Sequence, residues 1–379
     1  MSDFQTLPTP SLLVDHPRVV RNVERMGTRI AALGARLRPH VKTHKAIEVA
    51  QLQAKAGMHG ITVSTLAEAR AFAAHGFDDI TYAVPIEPGK FAAIVSMHTA
   101  GARVAVLTDD PEIPVPLAAA ASAAGVTIDV YLKVDCGYGR AGVDPHGPAL
   151  LEMAERIGAP SSLRFAGILA HAGHSYQARG RAQILAVANE ERDVMVAAAA
   201  RLRAHGIAVP TVSIGSTPTA SHVDDLTGVH EVRTGNYAFY DLMQVAIGSC
   251  GPDDVALSVL TAVVHRDRAK GKLILDAGAI ALSKDAGIAD PDGVTHYGRL
   301  VTVEGEDLGL RITSVSQEHG WVQTHDAAVL DRLPVGTRVR VLANHSCLTA
   351  AQFPHYEVCD GVRIVNRWIN HRGWSPNPV

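Results

Sequence analysis

The strongest constraint on what this chain can fold into is a repeat of apolar, strand-like runs separated by alanine-rich helical segments. The runs lie at 37–42, 60–65, 79–84, 103–108, 128–134, 165–171, 210–216 and 230–235. Helix-like segments fall between them, among others at 46–57, 66–76, 111–124, 148–157 and 183–205. Neighbouring parallel strands need a long crossover, and a helix is the usual one. Eight strand runs with helical crossovers fit an α/β fold of the (β/α)8 TIM-barrel type, whose chemistry sits at the C-terminal strand ends. A doubly wound sheet would carry a glycine-rich dinucleotide turn after its first strand, and none is present here.

The repeat stops near residue 250. β-like runs at 256–265, 272–276, 310–315 and 337–343 follow, separated by Gly, Pro and Asp turns. The C-terminal part therefore reads as an all-β domain. A short apolar run at 11–14 precedes the barrel and is a candidate extra strand for that domain. Asp15 then stands where it can cap a helix whose apolar face is Val19, Val20, Val23, Met26, Ile30 and Leu33. The expected domains are a barrel over 16–250, and a β domain made of 1–15 plus 251–379.

A length of 379 residues exceeds one compact core, which agrees with this division. A formal charge of −3 without a basic tract argues against nucleic acid as a partner. No apolar run approaches the ~18 residues of a membrane span, and no leader pattern precedes the first strand. A soluble, cytoplasmic protein with no membrane partner is expected. Four dispersed cysteines, Cys136, Cys250, Cys347 and Cys359, read as reduced thiols rather than a disulfide framework.

Polar residues collect where the strand runs end. In Arg38-Pro39-His40-Val41-Lys42-Thr43-His44-Lys45, Leu37 and Val41 alternate with Arg38, His40 and Lys42, so the polar set shares one face. A lysine at an inward-facing strand end is a costly structural choice. It suits a Schiff-base lysine or an anion contact, unless the strand end simply reaches solvent. Arg140 follows the fifth run and His171 the sixth. Gly215-Ser216-Thr217-Pro218-Thr219 follows the seventh, and Gly235-Asn236 the eighth. A small, hydroxyl-rich turn opening a helix is either an ordinary cap or a phosphate site, and barrels often place phosphate after strands seven and eight. A strand-end lysine together with a phosphate cup points to pyridoxal 5'-phosphate. His171 could stack on its ring and Tyr176 could hydrogen-bond it. Otherwise, both serve capping and loop packing. His345-Ser346-Cys347 offers imidazole and thiolate at i, i+2, which converge if the chain stays extended. The pair suits a divalent ion with open positions, or else is a packed polar histidine beside a small buried cysteine.

Taken together and in order, Arg38 to Lys45, His171-Ala172-Gly173, Gly215 to Thr219, Gln317-Glu318-His319-Gly320 and Asn344-His345-Ser346-Cys347 resemble the D-serine dehydratase and D-threonine aldolase family over nearly the whole chain. That family has the fold-type III pyridoxal phosphate architecture, an alanine-racemase-like barrel plus a β domain. The resemblance implies that Lys42 carries the cofactor, with Lys45 as a rival beyond the strand end. It implies cofactor contacts from His40, Arg140, His171, Tyr176, Ser216, Thr217, Gly235 and Asn236. It implies a divalent metal (Zn, Mn or Mg) on His345 and Cys347. His-x-Cys and the Gly-Ser-Thr-Pro-Thr turn look like the dehydratase branch, which acts on D-serine or D-threo-3-hydroxyaspartate. Aldolases tend to carry His-x-Asp. The expected activity is elimination of the β-hydroxyl from a small D-amino acid, giving a 2-oxo acid and ammonia. The alternatives are retro-aldol cleavage to glycine and an aldehyde, an amino-acid racemase, and a non-catalytic cofactor carrier. A homodimer with its active site near the interface is expected, with Gln317 and His319 as contacts to substrate or partner subunit.

Overall fold

The computed structural model describes residues 3–290 and 292–374. The chain divides into two compact units. One gathers the residues up to Val23, Thr43–Val49 and Asn236–Asn370; the other gathers Glu24–Lys42, Ala50–Gly235 and the residues after Asn370.

In chain order the strands are β1 (Ser11–Asp15), β2 (Arg36–Leu37), β3 (Ile61–Val63), β4 (Asp79–Pro85), β5 (Arg103–Thr108), β6 (Ile128–Lys133), β7 (Leu163–Leu169), β8 (Thr211–Ile214) and β9 (Glu231–Val232). The second of the two units contains β2 to β9 as one parallel sheet in the order β2-β9-β8-β7-β6-β5-β4-β3. A parallel bridge between His40 and Thr62 joins the two ends, with Thr62 N donating to Pro39 O at 2.8 Å. The sheet is therefore a closed ring, the TIM-type barrel that the strand count predicts. Leu107, Tyr131 and Leu169 pack together from β5, β6 and β7 as part of its core.

The first barrel strand is shorter than expected. Pro39 has no N–H to give the ladder, pairing continues only as the His40 bridge, and Val41–Thr43 turns into one 3-10 turn. The shared polar face of Arg38, His40 and Lys42 is thereby broken. Lys42 is exposed, not desolvated at a buried strand end. Arg38 is the buried cation instead, and its role is structural. Its Nε donates to Glu231 Oε2 at 2.6 Å, and its two terminal nitrogens form a bidentate pair with Asp79 at 3.0 Å each. Ser213 Oγ donates to the other oxygen of Glu231 at 2.6 Å, and buried Arg233 contacts Ser213 Oγ and Ala170 O. A helix at Phe91–Thr99 fills the crossover between β4 and β5. Its Phe91, Ile94 and Met97, three apart, are the buried face.

The other unit adds β10 (Leu257–Asp267), β11 (Lys272–Leu275), β12 (Arg299–Val301), β13 (Asp307–Val315), β14 (Gly320–Gln323), β15 (Arg338–Leu342), β16 (His355–Asp360) and β17 (Arg363–Ile369). Their order is β11-β14-β13-β12-β15-β10-β1-β16-β17, with an added β10–β11 pairing. That pairing closes six strands into an antiparallel ring. The long β10 makes it possible: its first half pairs with β15, and a register shift at Val263/His265 turns its second half onto β11. The early strand β1 joins this unit, antiparallel to β10 and parallel to β16. Phe4, Leu7, Leu13, Leu260 and Cys359 form a core cluster there. The sequence pattern shows β10, β11, β13 and β15. It does not single out β12 or β14, which are only three and four residues long, β16, which is buried on both faces, or β17, which is exposed over most of its length.

Arg38→Ala would leave the Glu231 carboxylate buried without its main cation, which costs about 3–5 kcal/mol. Removing the exposed Arg164 that pairs with Asp129 should cost under ~1 kcal/mol. Urea unfolding of the two variants should separate by that margin, and equal stabilities would contradict the structural role of Arg38.

Candidate active site

At the C-terminal ends of the barrel strands, loop geometry is set by two acids, half-buried Asp135 and buried Glu191. Asp135, after β6, accepts from the backbone N–H of Gly137, Tyr138 and Gly139 at 3.0–3.1 Å. The turn so formed presents Tyr138 and Arg140, with the Arg140 guanidinium 5.3 Å from the Tyr138 ring centroid. Glu191, on the long helix Gly180–Ala204, accepts from Ala172 N at 2.9 Å and Gly215 N at 3.0 Å. One buried carboxylate thus ties the loop after β7 to the loop after β8. Gly173 is required here: a Cβ would sit 2.3 Å from the Tyr138 ring.

His171 stands between these loops. Its Nδ1 bonds Gly215 O at 3.0 Å, and Tyr138 meets it edge-on at 6.1 Å. Burial, then the nearby Lys42 cation, push His171 down to about 3, so the imidazole is neutral. His40 Nε2 lies 3.4 Å from Ser64 Oγ. Lys42 is exposed on the turn that follows.

Gly215 has φ +118°, a conformation that glycine adopts freely. Ser216 then caps the six-residue helix Thr217–His222 in a full capping box with Thr219. Its hydroxyl also contacts Ser175 Oγ at 2.8 Å, and Thr217 Oγ1 contacts Thr234 Oγ1 at 2.5 Å. The capping role of this turn is therefore present in full. Beside it, Gly215, Ser216, Thr217, Thr234 and Gly235 form a small, hydroxyl-rich surround whose chemistry suits a phosphate. An exposed amine at Lys42 and a neutral imidazole at His171 suit the rest of pyridoxal phosphate.

The other unit holds a second cluster. The chain does not stay extended through His345-Ser346-Cys347: β15 ends at Leu342, and Ser346–Ala350 is a short helix with His345 in extended geometry at its start. The two side chains still meet, because the extended residue and the first turn face each other. His345 Nδ1 donates to Asp285 Oδ2 at 2.8 Å, and the ring also hydrogen-bonds Cys347. Burial lowers its pKa, but the bonds to Asp285 and Cys347 prevail and push His345 up to about 11. Cys347 Sγ lies 3.2 Å from Thr43 Oγ1 and 3.7 Å from Asn236 Nδ2. Asp241 holds the frame: Oδ2 accepts from Asn236 Nδ2 at 2.6 Å, Ser346 N at 2.9 Å and Ser346 Oγ at 3.1 Å. Its Oδ1 caps the next helix through Gln244 N.

Imidazole and sulfur side by side fit a divalent cation. Among the described residues, no group of three or more His, Cys, Asp or Glu side chains stands ready for a metal. The pair would thus leave coordination positions open for water or substrate.

His40, Lys42, Arg140, His171, Ser216, Thr217 and Gly235 belong to the barrel unit, and Asn236, His345 and Cys347 to the other. Tyr176 lies in the 3-10 helix Gly173–Gln177, half-buried. Gln317 and His319 occupy an exposed turn between β13 and β14, where Gln317 O accepts from Ile280 N at 3.2 Å and His319 O from Ser316 N at 2.8 Å. Thr43, Tyr138, Glu191, Asp241 and Asp285 are the functional-site residues that sequence reasoning assigned no role. Asp241 carries a readable signal, an Asp just before a helix. Asp285 carries none, since its partner lies 60 residues away.

The chain is similar to known proteins along nearly its whole length. Residues 14–242 match the alanine racemase N-terminal domain family, and residues 256–359 a serine dehydratase domain family. The D-threo-3-hydroxyaspartate dehydratase of Delftia sp. (strain HT23) is 40% identical over 97% of this chain and 98% of its own length. The D-serine dehydratase of Dictyostelium discoideum is 36% identical over 98% of each. A solved structure of a D-threo-3-hydroxyaspartate dehydratase variant in the metal-free form superposes with a TM-score of 0.95 at 39% identity, covering 99% of this chain and 100% of that one. The chain belongs to the family of the D-serine and D-threo-3-hydroxyaspartate dehydratases, lyases with an alanine-racemase-like barrel and a β domain.

Proposed function

We propose that the protein is a pyridoxal phosphate- and divalent-metal-dependent dehydratase of small D-β-hydroxy amino acids, of the D-serine or D-threo-3-hydroxyaspartate type. The observation that carries this reading is the 3.2 Å contact between Thr43 Oγ1 and Cys347 Sγ. Thr43 is the residue next to Lys42, so the chain passes in one peptide bond from the proposed cofactor lysine to the proposed metal pair. A metal ligand near the cofactor lysine is what loss of a β-substituent needs and a racemase does not.

Pyridoxal phosphate supplies an electron sink for the α-carbon, and a divalent ion supplies a Lewis acid for the β-oxygen. Lys42 would hold the cofactor, and its Nζ is the base that would take the α-proton. Ser216, Thr217, Gly235 and Asn236 hold the phosphate. Neutral His171 lies against the cofactor ring without adding charge, and His40, Arg140 and Tyr176 orient it. His345 Nε2 and Cys347 Sγ would hold the metal, which would serve as the Lewis acid for loss of the β-hydroxyl. Hydroxide leaves, and the product hydrolyses to a 2-oxo acid and ammonia. A homodimer, with Gln317 and His319 directed to substrate or partner subunit, belongs to the same reading. Among the described residues no helix is long and apolar enough to cross a membrane; a cytoplasmic setting is part of the proposal and rests on the wide spacing of the cysteines.

Lys42→Ala protein should lose the absorbance of lysine-bound cofactor, while Lys45→Ala keeps it. The reverse pattern would move the assignment to Lys45, which sits past the turn at φ +46°. A Lewis acid worth several kcal/mol implies that chelation lowers turnover by at least about 10³-fold with cofactor still bound. Full activity in metal-free protein would remove His345 and Cys347 from the reaction. With D-serine or D-threo-3-hydroxyaspartate the protein should release ammonia and a 2-oxo acid. Glycine plus an aldehyde would identify retro-aldol cleavage.

A further inference from the structure

Asp285 is held from every side that a carboxylate residue offers. Its backbone N donates to Ser283 Oγ at 3.2 Å, and its backbone O accepts from Asn344 Nδ2 at 3.2 Å. Its Oδ1 accepts from Gly287 N at 3.0 Å. Only Oδ2 points outward from this frame, and it accepts from His345 Nδ1 at 2.8 Å. The frame is costly to build. Ser283 has φ +70° and ψ 176°, a region that side-chain-bearing residues rarely enter. Gly287 has φ +65° and lies so close to Asn344 that a Cβ would be 2.9 Å from its side chain. A further bond, from Thr349 Oγ1 to Leu282 O, laces the 282–287 segment to 344–349, and Asn344 Nδ2 is held in place by a second acceptor, His296 O. Local strain at Ser283 therefore supports one outcome, a fixed carboxylate at one nitrogen of His345.

A histidine that donates Nδ1–H to a carboxylate presents Nε2 to a metal, which displaces the second ring proton and takes up the lone pair there. Its ring orientation is fixed as well, and it becomes a better electron donor to a metal. We propose that Asp285 is the positioning residue of the metal pair: it sets His345 to ligate through Nε2, beside Cys347 Sγ. This rests on the reading of His345 and Cys347 as metal ligands. Asp285 itself touches neither substrate nor metal.

Cobalt(II) is a suitable probe, because cobalt bound to a thiolate shows a charge-transfer absorption that reports Cys347 independently of turnover. Holoenzyme is titrated with cobalt(II) in the parent, Asp285→Ala, Asp285→Asn and His345→Ala forms, with cofactor absorbance as the check of intact fold. Asp285→Ala should weaken cobalt affinity by about 10–100-fold, and saturating cobalt should restore the charge-transfer band. Asp285→Asn keeps an acceptor but loses the charge, which roughly halves the strength of such a bond. It should fall between parent and alanine variant, and it carries the test if the alanine variant does not fold. Parent-like affinity in the Asp285 variants, with affinity lost in His345→Ala, would overturn the positioning role alone. Parent-like affinity in His345→Ala would instead remove the metal reading beneath it.

Discussion

The interaction on which the rest depends is the seam between the first and last barrel strands, β2 and β9. β2 and β9 contribute two paired residues each, Arg36 with Glu231 and Leu37 with Val232. Two paired residues make a weak ladder, and the Arg38–Glu231 ion pair buried behind them reinforces it. A buried pair of this kind adds little net stability over apolar packing, but it strongly penalises any arrangement that separates its members. It therefore acts on register more than on depth of the folded well. Ser213 and Arg233 extend it to β8 and β7, so the ring closes around a polar chain whose members all have partners.

The seam strands also fix where the chain leaves the barrel. Beyond β2 the chain runs through Lys42 to Thr43, and beyond β9 through Gly235 to Asn236. Thr43 and Asn236 both touch Cys347 Sγ, at 3.2 and 3.7 Å. The proposed lysine and phosphate residues are thus each joined by one peptide bond to a residue that touches the proposed metal ligand. Asp241 then locks Asn236 to Ser346, which keeps the 345–347 segment in place.

Much of this was legible in the residues. Eight strand runs predicted the barrel, and the order of motifs predicted the family. The stretch from Arg38 to Lys45 was read in part wrongly. Alternation grouped Arg38 with Lys42, whereas Pro39 and the 3-10 turn separate them, one into the barrel interior and the other to an exposed turn. His345 and Cys347 were expected to converge along an extended chain. They converge through a helix start instead, because the strand ends at Leu342.

By itself the sequence determined fold class, family and the chemical types available: an amine, hydroxyls beside glycines, an imidazole and a thiol. These follow from periodicity and from short motifs, which are local. Tertiary structure alone decided which acids serve them. Glu191 reaches two loops, Asp241 the Asn236 and Ser346 segments, and Asp285 a histidine 60 positions on. No local pattern encodes such partners. A carboxylate in a loop has many possible donors, and only the closed ring, the laced 282–287 and 344–349 segments and the strained Ser283 select one.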